Sequence, residues 1–437
     1  MYLSIGLLGG VAIGRFELWG HLPTIVFITF GVVSIVAILV ALRRSRYWSV
    51  VVLILAGVIL GVWRGSSYSQ LLDEFHIFSN QMVAVTGLVT DDEIHDKSHR
   101  PVLKLSKIKI YDRLIAKGRG VLWVTLGQDT DVKRGEEVKI YGKFGDGFGT
   151  YIGSMYSAKL EKVTEFEPGD VARKVRDNFA EKVRAAMSEP AASLGLGFLV
   201  GEQSSLPSDL LDSLRVAGLT HIIVASGYNL TILVTLARKL FYKTSKFLAM
   251  FASGLMMVAM MAITGLSPSM TRAGLVTSLS LAAWYYGRRF NPLVLLSLSA
   301  AATVLYEPSY VWGDVGWLLS FTSFFGVLMV APWFQKFFFG DKEPGVLRQV
   351  LGESVSAYIM TLPISMIFFG QISLVAIFAN MMIVPFVPLA MLLTFIAGIG
   401  GYLSPILAPI IGWPAESLID LMIAVANWWS SLPWAQL

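Results

Sequence analysis

The sequence contains no cysteine, which excludes both a disulfide framework and a thiolate metal site. It is also poor in charge, since only 15% of its 437 residues are Asp, Glu, Lys or Arg. By contrast, 55% of the residues are hydrophobic and the mean hydropathy is +0.64, values that exclude an ordinary water-soluble globule. The composition therefore predicts a polytopic α-helical membrane protein.

Apolar segments long enough to cross a bilayer recur along the chain. A membrane-spanning helix needs about 20 apolar residues, and this criterion predicts about 10–11 transmembrane helices, some of them broken by proline or glycine. The predicted spans are 2–19, 22–42, 48–64, 219–241, 246–265, 270–287, 291–306, 311–334, 347–368, 371–397 and 403–432.

Between about residues 81 and 165 the pattern changes, because charges become frequent and apolar residues alternate with polar ones. Alternation of apolar and polar residues indicates β-strands with one buried face. Five such runs are present: MVAVTGLVT, VLKLSKIKIYD, GVLWVTL, EVKIYGKF and MYSAKLEKV. In the second run the apolar register slips between Leu105 and Ile108, which predicts a β-bulge. Five short strands with a bulge favour an inserted all-β barrel of the OB type.

These patterns divide the chain into four predicted domains. They are N-terminal transmembrane helices (1–68), an OB-like β-barrel (69–167), amphipathic or interfacial helices (168–216) and a transmembrane channel domain (217–437). Clusters of Lys and Arg occur at alternate loops, and cytoplasmic loops carry an excess of these residues. One topology satisfies all the clusters, and it places the barrel on the extracytoplasmic side of the cytoplasmic membrane.

The stretch HIIVASGYNL, residues 221–230, places polar groups inside an apolar segment, where they are costly. Three interpretations remain open. Ser226 and Asn229 could bond back to their own helix or across to a neighbouring helix, while Gly227 permits close packing. Alternatively, Ser226 could be the nucleophile of an intramembrane serine hydrolase with His221 as base, although His221 lies off the helical face of Ser226. In the third interpretation Gly227 interrupts the helix and exposes polar groups to a water-filled path.

Other polar residues lie in or beside predicted spans. Arg272 lies near the start of one span, and Asp314, Gln371 and Asn380 are placed similarly. Each alone fits capping, snorkelling or helix packing, but together they predict a polar-lined interior.

Four motifs in order resemble the competence domain of the ComEC family, the membrane channel for DNA uptake in natural transformation. They are SLRVAGLTHIIVASGYNLTIL, GLSPSMTRAGLV, NPLVLLSLSAAATVLYEPSYVWGDVGWLLSF and TLPISMIFFGQISLVAIFANMMIVPFVP, and the resemblance covers about residues 170–432. It implies that a single DNA strand passes through the inner membrane. The residues that we expect along the path are His221, Ser226, Gly227, Asn229, Arg272, Asp314, Ser320, Gln371 and Asn380.

The resemblance also implies partners. The sequence has no Walker-type phosphate loop, so we expect a cytoplasmic helicase-like ATPase to pull the strand, and an extracytoplasmic DNA receptor to deliver it. Many family members carry a metallo-β-lactamase-like nuclease domain, but these 437 residues contain no His-rich motif for two metals. We therefore expect a translocation channel without cofactor or enzymatic activity, with strand degradation, if it occurs, left to a separate nuclease.

Two departures from the family pattern concern polar side chains. Family members often have His where this chain has Asn229, and Gln where it has Leu318, in the motif that ends Ser320–Phe321. A role that needs an imidazole at residue 229 is therefore in doubt, although an amide still offers a donor and an acceptor.

Within the barrel, Lys139, Tyr141 and Lys143 share the strand face opposite to Val138 and Ile140. A cation, an aromatic ring and a cation in a row suit single-stranded DNA, although a solvated outer face has the same pattern.

The basic segment VARKVRDNFAEKVRAAM is either an interfacial helix on anionic membrane lipid or part of an entrance. A secondary transporter or a handler of lipid-linked substrates would explain the broken helices equally well, but it would not predict a strand-binding barrel.

Overall fold

A computed structural model describes residues 1–14, 46–95, 100–111, 113–127, 130, 132–165, 170–202, 205–223, 227–265, 268–287, 291–340, 345–370 and 372–436. The predicted span 22–42, Ser226 and Gln371 lie outside these described residues. The chain forms two compact units, the first from Met1–Asp170 with Asn291–Leu318 and the second from Val171–Phe290 with Leu319–Leu437. The four-domain division made from the sequence stays a prediction.

The described helices, in chain order, are α1 (Tyr2–Gly14), α2 (Arg46–His76), α3 (Val171–Ala186), α4 (Ala191–Val200), α5 (Ser208–Val216), α6 (Thr220–Ile223), α7 (Gly227–Phe241), α8 (Lys246–Thr264), α9 (Pro268–Tyr285), α10 (Pro292–Tyr306), α11 (Ser309–Gly313), α12 (Val315–Phe339), α13 (Val346–Phe369), α14 (Ala376–Ile383), α15 (Val387–Leu403) and α16 (Ala408–Ser430). A 3₁₀ turn, Val384–Phe386, joins α14 to α15.

Six helical segments of the described chain are long and apolar enough to cross a membrane: Ser49–His76, Lys246–Thr264, Val315–Phe338, Arg348–Phe369, Ala376–Leu403 and Ala408–Ser430. Two shorter apolar helices, α1 and α10, coincide with predicted spans. The predicted span 219–241 contains two described helices, since α6 ends at Ile223 and α7 begins at Gly227. The predicted polytopic helical fold is confirmed.

The β-sheet lies in the first unit. Its strands are β1 (Met82–Val89), β2 (Ile94–His95), β3 (Pro101–Ile110), β4 (Arg113–Leu114), β5 (Val121–Leu126), β6 (Glu136–Phe148) and β7 (Tyr151–Glu165). The long strands pair in the order β1–β6–β7–β5–β3, and β3 also pairs with β1, so the pairings return to their starting strand. Among the described strands, only β5 and β7 pair in parallel. All five predicted strands are confirmed, whereas the two-residue strands β2 and β4 were not predicted.

The predicted bulge in β3 is also confirmed. Lys109 pairs with Thr86 and Ser106 with Leu88, so β3 carries one residue more than β1 across this interval. Lys107 takes the irregular conformation, with φ of 49°, and its side chain is exposed. The extra residue returns Ile108 to the buried face, which explains why the apolar register slips at this point.

Helix α2 runs from the apolar segment into the core of the sheet. It has 31 residues and a length of about 46 Å, which exceeds the roughly 30 Å hydrocarbon thickness of a bilayer. Phe75, in its last turn, is 2% exposed and stacks on Phe144 of β6 with ring centroids 6.2 Å apart. The same helix therefore serves as a membrane span and as part of the sheet core.

Helices α1 and α2 pack backbone against backbone. Both carry glycine at every fourth position, Gly6, Gly10 and Gly14 on α1 and Gly57, Gly61 and Gly65 on α2. A Cβ added to any of these six glycines would fall against backbone atoms of the other helix. Small residues allow this approach, and the resulting van der Waals contact drives helix association where lipid replaces water.

In the second unit, α3 crosses α15 and α16 at three glycines. A Cβ on Gly398 would meet the ring of Phe179, whereas Cβ atoms on Gly401 and Gly412 would meet backbone carbonyl groups of α3. Beside this crossing, all ten residues of α4 are buried. At about 15 Å long, α4 is too short to span a bilayer, and it forms part of the protein core.

The basic residues of α3 do not share one exposed face. Arg173 and Arg176 are only 6% and 5% exposed, whereas Val171 and Val175 are 67% and 55% exposed. Arg176 forms an ion pair with Asp177 at 2.8 Å, which offsets part of the cost of burying its charge. These two arginines therefore face the protein and are not placed to contact a lipid surface directly.

The glycine contact of α1 and α2 can be tested with two adjacent residues. Gly10→Ala places a Cβ against the carbonyl group of Val58, whereas a Cβ on Gly9 meets nothing within 4 Å. We expect Gly10→Ala to destabilise the protein by about 1–3 kcal/mol through overpacking. Gly9→Ala, the matched control, should stabilise it by about 0.5–1 kcal/mol because alanine favours helix. Thermal unfolding in detergent measures both, and equal shifts of the two variants would contradict the contact.

Candidate functional site

A buried arginine marks the point where α7, α9 and α12 meet in the second unit. Arg272 of α9 is 3% exposed, and its guanidinium carbon lies 5.7 Å from the ring centroid of Phe321 on α12. Gly227, the first residue of α7, would place a Cβ 2.8 Å from the Cβ of Ala273. We call Gly227, Arg272, Ala273 and Phe321 the Arg272 junction.

The helices that form the Arg272 junction carry no acidic residue. No Asp or Glu occurs between residues 213 and 306, and α12 also has none. The four helices α7, α8, α9 and α12 therefore supply cations but no carboxylates. A guanidinium in apolar surroundings interacts strongly with an anion, and its planar donors suit phosphate groups in particular.

Asn229 connects α7 to α4. Its side chain is fully buried, and Nδ2 donates a hydrogen bond of 2.9 Å to the carbonyl oxygen of Phe198. Phe198 lies in the last turn of α4, where carbonyl groups have no partner within the helix. Asn229 thus satisfies a helix end, as the packing interpretation of this stretch predicts, and its place on a DNA path stays a prediction.

His221 lies on the short helix α6, and its side chain is exposed. Because Ser226 lies outside the described residues, the geometry of the hydrolase interpretation is not defined. Among the residues that the structure describes, no three His, Asp or Glu side chains are grouped as metal ligands.

The remaining predicted path residues do not all gather at the Arg272 junction. Ser320 is half-buried and directly precedes Phe321, so it lies beside the junction. Asp314 belongs to the first unit, where its Oδ1 accepts a hydrogen bond of 2.6 Å from the backbone N–H of Trp317. It therefore caps the N-terminus of α12.

Asn380 lies on α14, a helix of the second unit. Its side chain is half-buried, and its Oδ1 has no hydrogen-bond partner among the described residues. A buried amide oxygen without a partner is costly, so it is available to a donor that enters this part of the protein. Gln371, which precedes this helix, lies outside the described residues.

On the sheet, the predicted row of β6 is exposed. Lys139, Tyr141 and Lys143 alternate with buried Val138 and Ile140, as the period-two pattern predicts. Glu161 of β7 lies 3.0 Å from the ammonium group of Lys139 and balances that charge. The register places Lys159 directly across from Tyr141, so the ring has a further cation as its neighbour. A role of this face in DNA contact stays a prediction.

An aromatic cluster elsewhere on the sheet was missed by the sequence reasoning. The ring of Trp123 on β5 lies 5.7 Å from that of Phe148 and 5.0 Å from that of Tyr151. Phe148 is 44% exposed. Lys104 is the cross-strand partner of Trp123, and its ammonium group lies 2.9 Å from Asp91. Alternation along single strands does not reveal the cluster, because its rings come from β5 and from both sides of the β6–β7 turn.

Electrostatics keep Lys104 charged beside these rings. Burial by itself lowers the pKa of Lys104, but the charge and hydrogen bond of Asp91, with a smaller contribution from the charge of Asp314, raise this pKa above its ordinary value. Burial also raises the pKa of Tyr151, so its phenol stays protonated. The cluster thus combines a permanent cation with neutral aromatic rings.

The helices and the inserted sheet together define a multi-pass membrane protein with a β domain. The sequence profile of the family described as Competence protein matches residues 198–437, which is more than half of the chain. The chain belongs to the Competence protein family. The matched range contains the Arg272 junction, whereas the sheet lies before it.

Two curated relatives share part of the chain. ComE operon protein 3 of Bacillus subtilis strain 168 is 27% identical over 222 residues, which are 48% of this chain and 27% of the relative. Uncharacterized protein YcaI of Escherichia coli strain K12 is 25% identical over 277 residues, which are 56% of this chain and 35% of the relative. The chain thus covers about a third or less of each relative's length. No solved structure matches the chain.

The capping role of Asp314 can be tested by changing its acceptor. Asp314→Ala removes the hydrogen bond to the N–H of Trp317 and should lower stability by about 1 kcal/mol. Asp314→Asn keeps a side-chain oxygen at the same position, so we expect it to lower stability by only a few tenths of a kcal/mol. Thermal unfolding in detergent separates the two variants. Equal losses would show that the carboxylate acts through its charge and not as a cap.

Proposed function

We propose that this protein conducts single-stranded DNA through the cytoplasmic membrane during natural transformation. Membership of the Competence protein family supports a role in DNA uptake, and the helical segments supply a multi-pass membrane body. A polyanion cannot cross hydrocarbon, so its route must be hydrated and offer cations or hydrogen-bond donors that bind it weakly.

The burial of Arg272 is the observation that carries this proposal. An ionisable residue within membrane helices is costly and marks a functional path more often than a structural one. Arg272 is 3% exposed and lies inside the family-matched range, and α7, α9 and α12, which form the junction, carry no Asp or Glu. A phosphodiester passing the Arg272 junction would find a positive potential and a planar donor group. In this proposal Ser320 and Asn380 supply further polar lining.

The sheet supplies a surface for the strand before it enters. The cyclic order of strand pairings supports an OB-type barrel. Single-strand binders combine cations that follow the backbone with rings on which bases stack. The β6 row offers Lys139, Tyr141 and Lys143, whereas the aromatic cluster offers Trp123 and Phe148.

The orientation and partners in this proposal follow from charge and energy. Cationic loops face the cytoplasm, which places the sheet on the extracytoplasmic side. Conduction by this chain is passive, so a cytoplasmic helicase-like ATPase pulls the strand and an extracytoplasmic receptor delivers it. The chain itself acts as a channel and not as an enzyme, and a separate nuclease would remove the other strand.

Charge reversal at Arg272 tests the path. We expect Arg272→Glu to reduce internalised labelled DNA by at least tenfold, because a carboxylate repels phosphate where the arginine attracts it. Arg272→Lys keeps the charge and should retain most uptake. The assay measures transformation and internalised DNA in a deletion strain that expresses each variant at equal membrane level.

Arg215→Glu is the matched control for charge reversal. Arg215 lies on α5 and its side chain is 58% exposed, so its reversal should leave uptake unchanged. Arg272→Met serves as a neutral variant in case the introduced carboxylate prevents folding. Wild-type uptake by both Arg272→Glu and Arg272→Met would remove Arg272 from the path.

Binding of oligo-dT to the purified full chain in detergent tests the β6 row. Lys143→Gln should reduce the slope of log K against log salt by about 0.7, the amount for one phosphate contact on a single strand. Tyr141→Ala should weaken binding by about 1–3 kcal/mol and leave that slope unchanged, because it removes stacking and not charge.

Lys117→Gln provides the control for this measurement. Lys117 is an exposed lysine in the 3₁₀ turn Ile115–Gly118, away from the β6 row. Its removal should alter neither the slope nor the affinity by a measurable amount. If Lys117→Gln and Lys143→Gln reduce the slope equally, binding is diffuse and the β6 row has no special role.

A further inference from the structure

One end of the α7–α8–α9 helices carries a cluster of cations and aromatic rings. Helices α7 and α8 are joined by the turn at residues 242–245, so the C-terminus of α7 lies beside the N-terminus of α8. The C-terminus of α9 reaches the same end, because Trp284 and Tyr285 contact cations of α7 and α8. We call Arg238, Tyr242, Lys246, Trp284 and Tyr285 the Trp284 cluster.

Two cations of this cluster share one indole ring. The guanidinium carbon of Arg238 lies 5.4 Å from the ring centroid of Trp284, and the ammonium nitrogen of Lys246 lies 5.6 Å from it. Lys246 is also 5.6 Å from the ring of Tyr285. Contacts of this kind hold the cations in place while leaving their charge uncompensated.

The charge balance of this region favours an external anion. Residues 213–306 contain no Asp or Glu, so these three helices offer no carboxylate to the cluster. Lys239 and Lys243 add further positive charge at the same end. Like charges held close together repel each other, and an anion bound between them relieves that repulsion.

Apolar surface adjoins the cluster on the same helices. Leu240 is 69% exposed on α7, and Phe247 and Phe251 are 61% and 57% exposed on α8. In a membrane protein, exposed side chains of this kind face lipid chains. Tryptophan and tyrosine concentrate at the level of the headgroups, which fits the position of the cluster at the helix ends.

We propose that the Trp284 cluster binds the phosphodiester headgroup of an anionic phospholipid, with Arg238 and Lys246 as its cationic contacts. The acyl chains would lie along Leu240 and Phe247. A nucleic acid fits less well, because Trp284 is half-buried and its ring is already occupied by two cations and Tyr242, which leaves little ring for base stacking. This inference is independent of the proposed conduction of DNA.

Native mass spectrometry tests this site. It counts the molecules of dioleoyl phosphatidylglycerol that bind to the purified full chain in detergent. The wild type should bind this lipid more tightly than dioleoyl phosphatidylcholine. The double variant Arg238→Gln with Lys246→Gln should weaken phosphatidylglycerol binding by roughly 25-fold, because each cation near an anionic headgroup contributes about fivefold. Trp284→Leu keeps the net charge and should weaken binding several-fold by releasing both cations.

Lys239→Gln with Lys243→Gln is the matched control, because it removes the same charge from the same end without touching the Trp284 ring. It should weaken binding much less than the first double variant does, because neither ammonium group is held against the Trp284 ring. If the two double variants lose lipid binding equally, or if Trp284→Leu binds like the wild type, the lipid is held by diffuse surface charge and not by the Trp284 cluster. Equal wild-type affinity for the two lipids would overturn the proposal. Oligo-dT binding lost in the first double variant alone would assign the cluster to nucleic acid instead.

Discussion

Close contact between helix backbones is the constraint on which both units of this protein depend. Water drives apolar surfaces together, but lipid does not, so helices in a membrane associate through van der Waals contact. In the first unit, α1 and α2 meet along six glycines, and a Cβ on Gly10 or Gly61 would collide with the partner backbone. In the second unit, α3 crosses α15 and α16 at Gly398, Gly401 and Gly412. Glycine is required at these positions because a side chain would collide with the backbone or with a ring on the facing helix.

Three polar side chains in or beside the apolar helices complete helix ends. Asn229 satisfies a carbonyl group of α4, and Asp314 caps α12. Arg64 of α2 donates hydrogen bonds of 2.7 and 2.8 Å to the last carbonyl groups of α10. Backbone groups at helix ends must find partners where water is scarce, so these roles are structural. Arg272 is a buried arginine within these helices, and its guanidinium group lies against the ring of Phe321 on α12.

The sheet and the membrane helix α2 share one core within the first unit. Phe75 enters the sheet from the last turn of α2, and Glu74 accepts a hydrogen bond of 3.0 Å from the backbone N–H of Ala116. A domain held in this way keeps its faces at a fixed orientation relative to the helix that carries it. If the β6 row or the aromatic cluster receives a DNA strand, it does so from a surface that is anchored to the membrane and not from a flexible tether.

Local pattern in the sequence was enough to predict the membrane class, the five long strands and the bulge near Lys107, because hydropathy and period-two alternation depend only on neighbours along the chain. The exposed row of Lys139, Tyr141 and Lys143 followed from the same alternation. Tertiary structure alone decided that Asn229 and Asp314 cap helices, that Arg173 faces inward, and that Trp123 meets Phe148 and Tyr151. These roles depend on which elements come together, and residues far apart in the chain carry no local signal of their future neighbours.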